Sequence, residues 1–155
     1  MTHFERMIQL AEQVFDSRND PDQLDVDQQV LERLARIHPS AVSEYDDGNG
    51  PAAWVLVLPT TMELMKQFIA KDISERELFE RTPFDVEYEA IYLCSAMVLE
   101  EYRRQGIAGR LTLEAVESIR RDNPVKALFI WAFSSEGEKG SEKIARLTSL
   151  PLHKR

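Results

Sequence analysis

Apolar residues recur along this chain with two different periods, and the switches between them divide it into elements. From Thr2 to Ser17, the residues Phe4, Met7, Ile8, Ala11, Val14 and Phe15 fall on one helical face. Thr2-x-x-Glu5 has capping-box spacing at the start of that helix, and Asn19-Asp20-Pro21 ends it. A second helix is expected from about Asp25 to Ile37, with Val30, Leu31, Leu34 and Ile37 as its apolar positions and Pro39 as its stop. Ala41 to Tyr45 and the apolar run Trp54 to Leu58 read as strands of a hairpin around the turn-rich stretch Asp46-Asp47-Gly48-Asn49-Gly50.

Pro59-Thr60-Thr61 then opens a helix. Thr60-x-x-Glu63 has the capping spacing, and Met62, Met65, Phe68 and Ile69 share one face. Ser74-x-x-Glu77 starts a short helix that stops near Thr82-Pro83. Tyr88 to Leu99 is a long strand signal, apolar at almost every position from Ala90, so both faces of that strand are expected to be covered. Arg103 to Arg121 reads as a helix ending at Asn123-Pro124, Val125 to Phe133 as a second apolar strand, and Glu138 to Leu150 as a last helix. This alternation implies an α/β layer with a right-handed crossover.

Composition narrows the picture. A chain of 155 residues suits one domain. No apolar run approaches the roughly 18 residues of a membrane-spanning helix, and Met1-Thr2-His3-Phe4-Glu5-Arg6 lacks the charged-then-apolar layout of a signal peptide. The lone Cys94 cannot form an internal disulfide and sits in an apolar run as a small core residue. A reduced, cytoplasmic setting is the simplest reading. His3, His38 and His153 have no ligand spacing, so no metal site is expected.

The net charge of −8 argues against nucleic acid or an anionic membrane surface as a partner. Residues 1–101 carry 8 Lys/Arg against 21 Asp/Glu, and residues 102–155 carry 11 against 6. The asymmetry fits a solvated surface. It also fits an anionic ligand at the C-terminal part and a cationic one at the N-terminal part.

One stretch carries chemistry. The strand ending in Met97-Val98-Leu99 runs through Glu100-Glu101-Tyr102 into Arg103-Arg104-Gln105-Gly106-Ile107-Ala108-Gly109-Arg110-Leu111. A glycine allows close backbone approach, and small residues keep the first helical turn uncluttered. The first amides of a helix have no internal acceptors and, with the macrodipole, suit a phosphate or pyrophosphate. Arg103, Arg104 and Arg110 add positive charge around that mouth. Arg103-x-x-Gly106-x-Ala108 resembles the Arg/Gln-x-x-Gly-x-Gly/Ala signature of the GNAT superfamily of N-acetyltransferases, and the apolar positions Leu111, Ala115, Val116 and Ile119 behind it resemble that family's helix.

The resemblance runs from about Tyr88 to Phe133 and implies a specific architecture. It implies an α/β (α+β), single-domain fold over residues 1–155, with a central mixed sheet and helices on both faces. Residues 88–133 would be the cofactor-binding core, while the chain is expected to depart from the family in residues 1–40, an N-terminal segment of two extra helices, and in lacking the family's C-terminal hairpin. Acetyl-CoA, or another acyl-CoA, would be the co-substrate. Its pantetheine arm would pair with Met97, Val98 and Leu99, between strands that splay apart. Its pyrophosphate would sit on Arg104, Gln105, Gly106, Ile107, Ala108 and Gly109, with Arg103 and Arg110 beside it. Ala127 to Phe133 would be the splayed partner strand, with Ser134 and Ser135 as polar contacts at its end. Backbone amides at a strand bulge near Val98 would stabilise the oxyanion.

Other positions depart from the family. Its thiolate-protonating tyrosine is replaced by Thr148, and no carboxylate occupies its usual base position near Ile91 and Tyr92. Glu89 and Tyr92 are the best available candidates for proton transfer; strand alternation sends them to opposite faces. Two readings follow. One is an N-acetyltransferase acting on a small-molecule or peptide amine drawn in by the acidic N-terminal part. The alternative is a non-catalytic acyl-CoA-binding or protein-interaction module of the same fold. A homodimer would cover the side left open by a missing hairpin, with the N-terminal helices as the intramolecular alternative.

Overall fold

Five strands form one sheet in the order β1-β2-β3-β4-β5, antiparallel over its first two pairings and parallel over its last two. The computed structural model describes residues 1–16 and 28–155. Strands β1 (Val42–Asp46), β2 (Pro51–Thr60) and β3 (Ala90–Val98) form an antiparallel meander. Strands β4 (Ala127–Ile130) and β5 (Leu152–Lys154) continue the sheet in parallel from β3. A mixed sheet with helices on both faces is therefore the architecture, as the resemblance implied.

The sequence sorts residues between the two faces by simple alternation. Ala52, Leu56 and Leu58 of β2 and Ala90, Tyr92 and Cys94 of β3 point to one apolar layer. That layer is closed by α1 (His3–Asp16), α2 (Gln28–Ile37), α3 (Met62–Ile69) and α4 (Glu75–Arg81). Ala53, Val55 and Val57 of β2 and Ile91 of β3 point to the other layer, beneath α5 (Ile107–Asp122) and α6 (Ser135–Thr148). Both faces of β2 and β3 are covered, which is why these strands read as continuous apolar runs. The ring cluster of Phe68, Phe79, Tyr92 and Phe129 anchors the first layer, with Tyr92 and Phe129 stacked at 5.1 Å.

Several boundaries differ from expectation for local reasons. Thr61, one residue after the expected Thr60, caps α3 by accepting from the Leu64 amide. Thr60 instead completes β2 and meets the Thr82 hydroxyl in the buried interior at 2.8 Å. Ser74 and Glu77 do form the expected capping box of α4. Helix α5 begins at Ile107, because Arg104 and Gly106 both hold left-handed φ values, 64° and 75°, that break the helix expected from Arg103. Strand β4 ends at Ile130 rather than Phe133. Helix α6 starts at Ser135, where Ser134 accepts from the Gly137 amide as N-cap. Strand β5 lies beyond Leu150, the end of the last element expected from the sequence. The expected start of α2 at Asp25 and the helix stop at Asn19-Asp20-Pro21 lie outside the described residues. Among the described residues, no helix is long and apolar enough to cross a membrane.

Candidate functional site

Strands β3 and β4 pair over only three residues, Ala90↔Ala127, Ile91↔Leu128 and Tyr92↔Phe129. Beyond that point β3 stays with β2 as far as Val98, while β4 stays with β5 as far as Ile130. The two strands separate. The cause on the β3 side is a bulge. Its register on β2 passes from Val57↔Leu93 to Leu56↔Ser95, so β3 carries one residue more than β2 at Cys94. An extra residue bends and twists the strand that bears it. It also changes the phase of alternation: Tyr92 and Cys94, then Met97 and Leu99, all enter the same apolar layer. The bulge expected near Val98 therefore lies at Cys94, and the two-faced apolar run hides it in the sequence.

The separation opens a groove of about 700 Å³. Leu93, Cys94, Ser95 and Ala96 form one wall, and Ile130 to Ser134 form the other. Helices α5 and α6 border it mostly with small groups, Ala108, Gly109 and Thr112 from one and Gly137, Gly140 and Ser141 from the other, beside Glu136, Glu138 and Ile144 of α6. A Cβ added at Gly109 or Gly140 would meet no heavy atom within 4 Å, so these glycines leave space rather than avoid a clash. The slot suits a slender, extended ligand.

At the α5 end of the groove a second hollow of about 240 Å³ is lined by Val98, Tyr102, Arg103, Arg104 and Gly106 to Gly109. Gly106 is the N-cap of α5 in left-handed conformation, and no side chain caps the helix. The first-turn amides are therefore open to an anion in the way the motif requires. The loop is tied down from several sides. Arg103 Nε donates to the Val98 carbonyl at 3.0 Å, and Gln105 Nε2 to the Glu101 carbonyl at 3.3 Å. Glu101 forms a two-pronged ion pair with Arg6 of α1 at 2.6 and 2.7 Å. The Arg6 guanidinium holds the Glu101 carboxyl down at about 2. The Tyr102 hydroxyl donates to Asp47 in the β1–β2 turn at 2.7 Å, and that carboxylate raises the phenol pKa above its ordinary value.

The residues singled out from the sequence fall in different places. Val98, Arg103, Arg104, Gly106, Ala108 and Gly109 line the hollow. Ile107 also borders it, but its side chain is buried under the sheet, so only its backbone is offered. Arg110 turns to the Tyr45 ring at 5.6 Å. Met97 and Leu99 are buried in the layer beneath α1 to α4, and the Leu99 amide is taken by the Ala52 carbonyl at 2.9 Å. Glu89 sits at the closed end of the β3–β4 pair, bound to Lys126 at 2.8 Å, and holds that ammonium above its usual pKa. Tyr92 is buried, and its hydroxyl donates to the buried carboxylate of Glu75. Neither Glu89 nor Tyr92 lines the groove. Thr148 is buried and donates to the Ile144 carbonyl of its own helix at 2.8 Å.

Sequence reasoning missed the groove walls Trp131 and Phe133 as separate from the strand, and the glycines of α6. Ser134-x-x-Gly137 was a readable signal for the latter, being an N-cap spacing followed by helical glycines. Among the described residues no three His, Cys, Asp or Glu side chains gather as a metal site would require.

No protein-family model matches the chain, and no curated protein matches its sequence. Solved structures do match its shape. A chain of the NatB acetyltransferase complex bound to a bisubstrate inhibitor superposes with a TM-score of 0.51 at 16% identity, over 81% of this chain and 60% of that one. This chain thus spans about 60% of the NatB chain it matches. A tetramutant of the BH1408 protein from Bacillus halodurans superposes with a TM-score of 0.50 at 15% identity, over 96% of this chain and 89% of that one. The resemblance carried by Arg103-x-x-Gly106-x-Ala108 therefore holds at the level of architecture: the chain has a GNAT-like fold.

Proposed function

We propose that the chain binds acetyl-CoA, or another acyl-CoA, and transfers the acyl group to an amine. The carrying observation is the parting of β3 from β4 after Tyr92↔Phe129, directly beside the open α5 N-terminus. The hollow at Arg103 to Gly109 suits the pyrophosphate, through backbone amides and the nearby guanidinium groups. The slot between the glycine-lined helices suits the pantetheine arm. In the transfer, the amine nitrogen attacks the thioester carbonyl carbon, the C–S bond breaks, and the thiolate leaves with the electron pair. The nitrogen's proton ends on that sulfur, giving an amide and a free thiol. Backbone amides at the Cys94 bulge are the donors best placed to hold the developing oxyanion.

Proton removal has no obvious side chain. The carboxylates lining the groove among the described residues are Glu136 and Glu138, both at the start of α6, and Glu138 is bound to Lys154 at 3.0 Å. Ordered water is the simplest relay. This same observation, together with the inward-bonded Thr148, favours the second reading, a non-catalytic acyl-CoA-binding module.

Titration calorimetry with CoA tests the common part. Gly106→Asp should abolish binding, because a carboxylate would enter the anion's seat while aspartate tolerates the left-handed backbone. Unchanged affinity in a folded variant would remove the assignment. Thiol release from acetyl-CoA with a panel of amines then separates the two readings: turnover supports the transferase, and tight binding without turnover supports the module.

A further inference from the structure

The two ends of the groove open on opposite faces of the sheet. The anion hollow belongs to α5, which packs on the layer of Val55, Val57 and Ile91. The segment after β4 points the other way. Ala127 and Phe129 enter the layer beneath α1 to α4, and Trp131 packs against that same layer. Phe133, two residues further on, lies with its ring 4.4 Å from Trp131. An amine arriving from the face opposite the hollow therefore meets an apolar wall, in which Trp131 and Phe133 are joined by Cys94 and Val14.

This wall is built in advance. Trp131 is held edge-on by Phe68 at 6.0 Å. The Arg155 guanidinium covers it at 4.8 Å and is itself anchored to the Ile73 carbonyl at 2.8 Å. Phe133 is 47% exposed, an unusual position for so large an apolar side chain at the lip of a groove. The charge pattern points the same way. Glu136 and Glu138, the groove carboxylates among the described residues, lie on α6, which packs on the layer of Val55, Val57 and Ile91, whereas Trp131 packs against the other layer. A cation, Arg155, already occupies the Trp131 ring, which disfavours a second positive charge there.

We infer that Trp131 and Phe133 select the acceptor, and that it is a primary amine carrying an apolar, preferably aromatic, substituent next to the amino group. The inference rests on the acyl transfer proposed above. The substituent's ring packs edge or offset against Phe133 while the amino group reaches the bulge at Cys94. A free arylalkylamine and a peptide beginning with an apolar residue share this chemistry.

The test compares kcat/KM with acetyl-CoA for phenethylamine against ethanolamine and putrescine. A parallel arm compares short peptides beginning with Phe against peptides beginning with Ser; it tells the free amine from the peptide as the source. At least a ten-fold preference for the apolar member is expected in one arm. Phe133→Ala should raise KM for that substrate about ten-fold more than it does for the polar amines, with Phe133→Tyr restoring it. Phe133 is exposed, so the variant keeps its fold, as circular dichroism checks. Where no amine turns over, calorimetric binding of the same amines to the CoA-loaded protein supplies the same comparison. CoA binding with equal or better use of the polar amines overturns this inference alone. So does an equal effect of Phe133→Ala on every amine. Failure of the wild-type protein to bind CoA overturns the acyl-transfer reading with it.

Discussion

Gly140 separates the demands of the fold from those of the ligand. It lies in the interior of α6, and a Cβ built there meets no heavy atom within 4 Å. Its backbone is not in the left-handed region. For the fold alone, alanine is therefore the better residue. Glycine in a helix interior costs about 0.8–1.0 kcal/mol relative to alanine, partly through the greater freedom of the unfolded chain, and no steric term opposes the gain. Gly140→Ala should raise stability by about that amount, which for a chain of this size is roughly 2–4 °C in Tm. The same position lines the groove. A methyl there narrows the slot, and Gly140→Leu should fill it, lowering CoA affinity at least ten-fold in a protein no less stable than the wild type. Gly137→Ala is the contrast. Its Cβ would lie 3.0 Å from the Ser134 hydroxyl oxygen that caps the helix. Disturbing a cap costs about 1 kcal/mol, so the net gain should vanish. Urea denaturation and calorimetry measure both quantities. A destabilised Gly140→Ala would refute the local geometry of α6, and undiminished CoA binding by Gly140→Leu would refute the path proposed for the pantetheine.

Tyr92→Phe removes a donor from the buried Glu75 carboxylate; it should cost about 1–3 kcal/mol in urea denaturation and leave the shape of any pH–rate profile unchanged, whereas a displaced acid limb would restore Tyr92 as a proton carrier. Phe68→Ala empties the centre of the ring cluster with Tyr92, Phe129 and Trp131 and should cost about 3–5 kcal/mol, read by the same denaturation. The Glu101 carboxyl is held at about 2 by Arg6, against an ordinary value of 4.5. A depressed carboxyl stabilises the fold above its unfolded pKa and ceases to as pH falls through the folded one. Wild type and Glu101→Gln should therefore differ in Tm at neutral pH and converge between about pH 4.5 and about pH 2, with a difference that persists unchanged at the acid end counting against the ion pair.

Element types were readable where one periodicity dominated, and boundaries were lost where two causes competed. The apolar faces of α1, α3 and α5 follow from 3.6-residue spacing, and the capping box at Ser74 and Glu77 is both local and present. Thr60 and Thr61 show the limit. Two adjacent threonines offer the same capping chemistry, and the choice of Thr61 is made by Thr82, which reaches Thr60 from more than twenty residues away. The start of α5 was misread because arginine and glutamine are good helix formers, while the left-handed backbone at Arg104 is imposed by the loop's closure onto Val98 and Glu101. The early end of β4 reflects the loss of sheet partners beyond Ile130, which composition does not record. The hollow at the α5 N-terminus was readable because the residues that border it are consecutive. The wall of Trp131, Phe133, Cys94 and Val14 was not, because these residues come from three separate segments of the chain.

The bulge at Cys94 connects the fold to the proposed chemistry. Strand β3 keeps its ladder with β2 through Val98, and β4 keeps its ladder with β5 through Ile130, so each is held from its outer side while the inner sides part. Parting leaves backbone donors and acceptors along a narrow channel, and such groups need partners. The Val98 carbonyl takes one from Arg103. A ligand that lies extended and carries its own amides can serve the rest, as an added strand serves a sheet edge. A pantetheine arm has two amides and a width that Gly109 and Gly140 admit. The chain opposite the bulge must also stay straight, and β2 does: its alternation of faces runs unbroken from Ala52 to Leu58. The extra residue thus bends only the strand that borders the groove. Deleting Cys94 should restore the phase between β2 and β3, close the groove, and abolish CoA binding while the antiparallel meander persists.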